Sequence, residues 1–494
     1  MSFYGLEIAR TGLFLSQKMI NLAGHNIANA STAGYTRQRV VSEAIDPASY
    51  ISRFTVAANG RVGGGARTQS LEQVRDAFID KELRREYSGQ GYWSKRADSL
   101  NYIETMFDET DSSSLTKSLD GFIDALKEFS ENPSSTEMRT NLRQSGIMLT
   151  DAFHMFYEQL AEYQAAQNDS MATTVESINS TLKNIAAYNK SIASYELSGE
   201  MANDLRDKRN LELDKLSQFV NIEYSYDSDG YLSIKTGTQE LLNHITVNGL
   251  GVETNADGFY DVVFAGSGDA LNYTSGELEG YRQMRDGDAA DDMGIPYLMH
   301  SLDLLAQSLA REMNAIHSAG YTLATAGKAS TDGINLFEVP SGGYSGITAG
   351  NFSLSAEVLA DINMFAASSE PTYVSQDGTQ ANQGDANKAL LLYELCSSNS
   401  LGLTSVSSFQ GYLQGFMTSI GIEAGNTNTM LDTQNAVVEN LETRKESVSG
   451  VSVDEEMVNL IKAQQMYSAS SRIITAIDEA LETLINRTGI VGRG

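Results

Sequence analysis

From Leu6 onward, apolar and small residues recur by threes and fours: Leu6, Ala9, Leu13, Ser16, Ile20, Ala23, Ile27 and Ala30. This is a heptad seam over more than three repeats, and it predicts an amphipathic helix that pairs with another helix. The far end of the chain mirrors it. Leu460, Tyr467, Ile474 and Leu481 lie seven apart, with Ala463, Ser470, Ile477 and Leu484 three residues after each. Asp454, Glu455 and Glu456 precede that second seam, where carboxylates suit the positive end of a helix dipole. Both seams mix large and small residues, which lets neighbouring helices approach closely.

Between the seams the texture changes several times. Gly34 supplies a turn, an extended stretch follows around Val40 and Val41, and Asn59-Gly60 with Gly63-Gly64-Gly65 marks a flexible connection. Leu71, Val74, Phe78, Leu83 and Tyr87 predict a helix running to about Phe107, and a second is expected from Ser114 to Phe129. Pro133 with Ser134, Ser135 and Glu137 is a helix start, and no proline interrupts the chain from there to Leu197. A very long helix or helical pair is expected there, then another helix over 204–219. From Val220 the period shifts to two, with hairpin signals at Asp229-Gly230 and Asp257-Gly258. Helix returns over 276–319, with a fresh start at Pro296. A Gly/Ser-rich stretch with short strands covers 320–370, and helix resumes from Asp385.

The expected fold is mainly α with a smaller β-rich unit: a discontinuous multidomain chain with paired N- and C-terminal coiled-coil helices. Residues 1–60 and 450–494 would form the inner coiled-coil domain. Residues 61–220, 276–335 and 371–449 would form a helical middle domain. Residues 221–275 and 336–370 would form an outer β-rich unit.

Composition narrows the function. Of 494 residues, 64 are Asp or Glu and 35 are Lys or Arg, a net charge of −29. That excludes nucleic-acid coating, which needs clustered cations. Only 5 prolines occur, which permits long helices. No apolar run is long enough to span a membrane, and Asn21, His25 and Asn26 break up any secretory-signal pattern at the N-terminus. The single cysteine, Cys396, makes no internal disulfide and reads as buried packing.

Catalytic chemistry is weakly represented. No G-x-S-x-G, H-E-x-x-H or P-loop pattern occurs. Gly60 to Gly65 lacks the Lys-Ser/Thr ending of a phosphate loop. The five histidines, His25, His154, His244, His300 and His317, lie far apart. Asp286-Gly287-Asp288 with Asp291-Asp292 lacks the ligand spacing of a calcium loop and reads as a solvated acidic loop. No catalytic residue, cofactor site or metal site is expected, and the chain is read as no enzyme.

Two terminal segments carry a resemblance. Ala23-Gly24-His25-Asn26-Ile27-Ala28-Asn29-Ala30-Ser31-Thr32-Ala33-Gly34-Tyr35-Thr36-Arg37-Gln38 resembles the N-terminal signature of the flagellar rod, hook and hook-associated axial proteins. Its Gly34-Tyr35-Thr36-Arg37-Gln38 ending is more similar to hook-associated members than to rod or hook subunits. Ser449 to Met457, with Asn459-Leu460-Ile461 and Gln464 to Tyr467, resembles the C-terminal signature. Asn203 to Arg209 and His317 to Tyr321 resemble internal motifs.

The resemblance implies a non-catalytic structural subunit of the bacterial flagellum, placed between hook and filament. It implies secretion through the flagellar type III export apparatus without cleavage. The implied partners are copies of itself in a ring or short helical layer, the hook protein, an adjacent hook-associated junction protein, and a dedicated export chaperone at the C-terminal helix. Nucleic acid and membrane insertion are not among them. The expected assembly interface is Leu6, Leu13, Ile20 and Ile27 against Leu460, Tyr467, Ile474 and Leu481. Alternatives are a hook or rod subunit, or an adhesin or enzyme displayed on the flagellum.

Overall fold

The computed structural model describes residues 4–45, 63–107, 114–197, 199–227, 230–326, 328–374, 380–397 and 408–487. The expected connection at Asn59-Gly60 and the Asp229 position of the first hairpin lie outside them. Helix α1 (Tyr4–Ala28) leads into a hairpin of β1 (Gln38–Ala44) and β2 (Ala66–Gln73). Four helices follow: α2 (Ala77–Met106), α3 (Leu115–Glu131), α4 (Thr136–Glu196) and α5 (Asn203–Phe219). The starts of α2, α3 and α4 are locally encoded. The side chains of Asp76, Ser114 and Ser135 each accept a backbone N–H of the first turn, at Phe78, Lys117 and Met138.

The β-rich segment holds six short antiparallel strands. β3 (Glu223–Tyr226), β4 (Leu232–Thr236), β5 (Gln239–Asn243) and β6 (Thr246–Val247) form one sheet in sequence order, and β7 (Leu250–Thr254) pairs with β8 (Tyr260–Phe264). Next come α6 (Glu277–Asp286), a small hairpin of β9 (Asp288–Ala289) and β10 (Asp292–Met293), and α7 (Ile295–His317), with Pro296 in its first turn. An irregular stretch contains the short helix α8 (Ala356–Ala360) and a minimal hairpin, β11 (Tyr373–Val374) with β12 (Gln380–Ala381). The chain closes with α9 (Asn387–Ser397), α10 (Phe409–Ser449) and α11 (Val453–Arg487).

Helix α4 has 61 residues, about 90 Å at 1.5 Å per residue, and carries two separate cores. Its first half, with Leu142, Leu149, Phe153 and Leu160, packs with α3, α7, α9 and the start of α10. Its second half, with Met171, Ile178, Leu182 and Ile185, packs with α5 and the β-rich segment through Leu232, Ile234, Leu242 and Val262.

Two expectations are corrected. Leu71 and Val74 do not begin a helix. Leu71 sits in β2 opposite Val40, and the helix starts only after the Asp76 cap. The segment 336–370 does not join the β-rich unit either. Leu336, Phe337, Phe352, Leu354, Val358 and Phe365 all lie in the first core, and Phe337 stacks on Phe352 at 4.5 Å. The fully buried Arg139 of α4 fastens this segment, donating to the carbonyls of Ile362 (3.2 Å) and Phe365 (2.8 Å) as well as Pro133 (2.6 Å). Short strands are common to both regions, but the aromatic side chains of this one find their partners among helices.

Candidate functional site: the terminal helix pair and its polar clasp

Helices α1 and α11 lie side by side and antiparallel. Gly5 faces Ile477, Gly12 faces Ser470, and Asn26 faces Glu456. The closest approach runs along small residues. A Cβ at Gly12 would come within 2.9 Å of Ser470 Oγ, and Ala9, Ser16, Ala23 and Ala463 are all buried. The large seam residues flank this line. Leu6, Leu13, Ile20 and Ile27 of α1 are half-buried, as are Leu460, Ile474 and Leu481 of α11. Tyr467 is 37% exposed, since the seam tightens on its small neighbours Ala463 and Ser470.

The family-motif residues converge at the other end of the pair. Asn26, a polar residue in an apolar stripe, is 1% exposed. Its amide donates to Gln38 O (2.9 Å) and Glu456 Oε2 (3.2 Å), and its Oδ1 accepts from the Tyr35 hydroxyl (2.7 Å) and Gln38 N (3.2 Å). All four of its hydrogen-bonding positions are therefore used. Arg37 reaches Glu456 Oε1 and Glu455 Oε2, each at 2.9 Å, while its backbone N–H bonds Ser449 O at the junction of α10 and α11. The exposed Asp454 contributes nothing to this cluster.

The same residues grip the middle of the chain. Thr36 N donates to Asp207 Oδ2 (3.0 Å), and Gln38 Nε2 donates to Asp204 Oδ1 (2.9 Å). Asn203 donates to Gln38 Oε1 and to Leu71 O, each at 3.0 Å. Gln73 of β2 donates to Asp207 Oδ1 at 2.7 Å. Burial pushes the Asp207 carboxyl up to about 6 despite these donors. Burial, then Asp204, Asp207 and Glu456, holds the Tyr35 hydroxyl protonated well above its ordinary range. Gly34 has φ +77°, and a Cβ there would touch Leu211, so the turn into this cluster needs glycine. Asn29 closes the end of α1 by donating to His25 O, while Ala28 faces solvent there.

The cluster is thus a clasp joining α1, β1, β2, α5 and the α10–α11 corner. Neighbouring motif residues supply charge and hydrogen bonds to one another. Among the described residues no three His, Cys, Asp or Glu side chains are grouped to hold a metal. The family motif at His317 is also structural. Its ring is fully buried, with Nδ1 at 2.5 Å from Ile334 O and Nε2 accepting from Ala366 N at 2.9 Å.

Comparison with known proteins bears on this geometry directly. The family described as "Flagellar hook-associated protein FlgK helical domain" matches residues 100–337, and "Flagellar basal body rod FlgEFG protein C-terminal" matches 446–487. Flagellar hook-associated protein 1 of Bacillus subtilis is 29% identical over 100% of this chain and 99% of its own length. The chain belongs to the flagellar hook-associated protein 1 family. The Escherichia coli relative of the same name is 24% identical, covering 97% of this chain and 98% of its own. The solved structure of the flagellar hook junction protein FlgK from Burkholderia pseudomallei superposes with a TM-score of 0.59 at 14% identity, over 75% of this chain and all of that one. At that identity the likeness is one of fold. The hook-associated family places the chain as a structural component of the bacterial flagellum. The second matched region begins at Glu446 and contains Ser449, Glu455 and Glu456, the C-terminal half of the clasp.

Proposed function

We propose that this structural component of the hook–filament junction is built into its layer through the α1–α11 pair, with the clasp setting the pair's angle to the middle domain. The supporting observation is what pairing leaves uncovered. After α1 and α11 have met, Val458, Ile461 and Ile473 of α11 are still 48–51% exposed, and Leu6, Leu13 and Ile20 are only half-covered. Such a stripe along two long helices is an association surface. Copies of the chain in a ring or short helical layer would cover it, with the pairs lining the axial channel. The two cores on α4 would form the lateral and outer parts, meeting hook protein below and the adjacent junction protein above. Before assembly the same stripe needs protection. A dedicated export chaperone on α11 and passage through the type III export apparatus supply it.

Leu13→Asp and Ile474→Asp test the reading. Each large apolar group in the seam contributes roughly 1.5–3 kcal/mol, and an unpaired carboxylate adds a desolvation penalty of similar order. Filament attachment should fail, while the thermal transition of the middle domain should hardly move. Normal attachment by Leu13→Asp would refute the assembly role. Melting of the middle domain would make the stripe ordinary core.

A further inference from the structure

The clasp uses Asn203, Asp204 and Asp207 at the start of α5. Arg206 and Arg209 share another side of that helix and line an open cavity of about 520 Å³, together with Ala77 of α2 and Tyr224 and Tyr226 of β3. Arg209 is fully buried. Its Nη1 donates to Asn189 Oδ1 (2.8 Å) and Gly230 O (3.2 Å), and its guanidinium lies over the Tyr226 ring at 5.0 Å. Its Nε has no hydrogen-bond partner, and among the described residues no carboxylate forms an ion pair with it. The other buried arginines are matched: Arg84 with Asp214, Arg96 with Glu423, Arg285 with Asp286, and Arg139 with three carbonyls. Burial pulls the Arg209 guanidinium below its ordinary range, as follows for a cation taken out of water without a counter-ion.

The carboxylates in the cavity wall are already committed. Asp80 accepts from Arg75 Nε and Nη2, each at 3.0 Å, and Glu196 from Arg206 Nε and Nη2, each at 2.8 Å. Asp227 accepts from Tyr231 N (2.7 Å) and faces His244 Nε2 (3.2 Å). We propose that this cavity binds a monocarboxylate, which pairs with Arg209 and rests its apolar part against the tyrosine rings. A guanidinium fork matches the two oxygens of a carboxylate. The deficit is a single negative charge, and a second charge on the ligand would face Asp80, Glu196 and Asp227. Tyr226, the ring over Arg209, is 46% exposed, so rotating it uncovers the guanidinium without opening either core. The carboxylate can belong to a small organic acid or to a glutamate side chain of another polypeptide, since the group recognised is the same.

Calorimetric titration of the full-length chain at constant ionic strength tests it, with butyrate, N-acetylglutamate α-amide and inorganic phosphate as probes. At least one of the two carboxylates should bind saturably, and at tenfold excess over half-saturation should raise the melting temperature by about 2 °C. Phosphate should bind about tenfold more weakly or not at all. Arg209→Lys keeps the charge but loses the fork and should weaken binding about tenfold. Tyr226→Glu places a carboxylate beside Arg209 from within the chain. That variant should fold, since the side chain is exposed, and should no longer bind either probe. No saturable binding by the unmutated chain, phosphate binding as tightly as the carboxylates, or full binding by Tyr226→Glu each overturns the proposal. Incorporation of Tyr226→Glu into hook–filament complexes then separates the sources. It is lost if the carboxylate arrives on another chain and kept if the ligand is a free acid.

Discussion

Glu456→Ala isolates the clasp. The carboxylate is 5% exposed and accepts from Arg37 Nε and the Asn26 amide. Its removal strands one Asn26 N–H at a position 1% exposed, a loss of about 1–3 kcal/mol. Arg37, 26% exposed, keeps only its pair with Glu455, which is 63% exposed and is therefore worth at most about 1 kcal/mol. Losing the buried half of that charge interaction adds about 1–2 kcal/mol. A total near 3 kcal/mol should fall on the α1–α11 pair rather than on either core, because the polar partners of these groups are Gln38, Glu455 and one another. Amide hydrogen exchange reads this directly. Protection in α1 and α11 should drop about a hundredfold, with α4 and α7 unchanged. Arg37→Ala combined with Glu456→Ala should cost less than the sum of the two, since they share one interaction. Unchanged protection in α1, or strict additivity of the two changes, would refute the account of the clasp.

Arg139→Met should lower the denaturant midpoint by the equivalent of about 3 kcal/mol at constant m-value, because three buried carbonyls lose their donor. Arg139→Lys should recover little, since an ammonium does not reproduce the planar fork. Burial lowers the His317 imidazole to about 4, against about 6.5 in an unfolded chain. The unfolded state therefore takes up the proton first as pH falls. Stability should decline between about pH 6.5 and 4, by roughly 3 kcal/mol in all, and His317→Gln should flatten that limb of a pH–stability curve. Exhaustive chelation should leave the melting temperature unchanged, and a large drop reversed by calcium would revive the Asp286–Asp292 cluster as a metal site.

The long elements were legible because their signals are local. Ser135, the proline-free run after Pro133 and the i, i+3, i+4 apolar spacing define α4 without reference to anything distant. β2 was missed for the opposite reason. Arg67, Thr68, Gln69 and Ser70 give no apolar alternation, since the hairpin is partly wet on both faces, and Leu71 with Val74 mimics a helical spacing toward Phe78. In the seam, side-chain size does not locate the closest approach. Large residues mark an amphipathic face, but the closest approach of two helices follows Gly5, Gly12, Ser16 and Ala463. The clasp joins Asn26 to a carboxylate 430 positions away, a distance no period can register. Its one local trace was an asparagine inside an apolar stripe.

The antiparallel pairing of α1 with α11 has a consequence for timing. A ribosome makes one of these helices before both cores and the other after them, so neither can find its partner while the middle of the chain is still being synthesised. The cores on α4 can close early, since every segment they use precedes Val453. The pair closes late, and a chain interrupted anywhere in between would hold a finished middle and an unfinished end. If the pair is the assembly surface proposed above, its completion reports completion of the polypeptide, and a fragment able to fold would still be barred from the polymer by the order in which its parts are made.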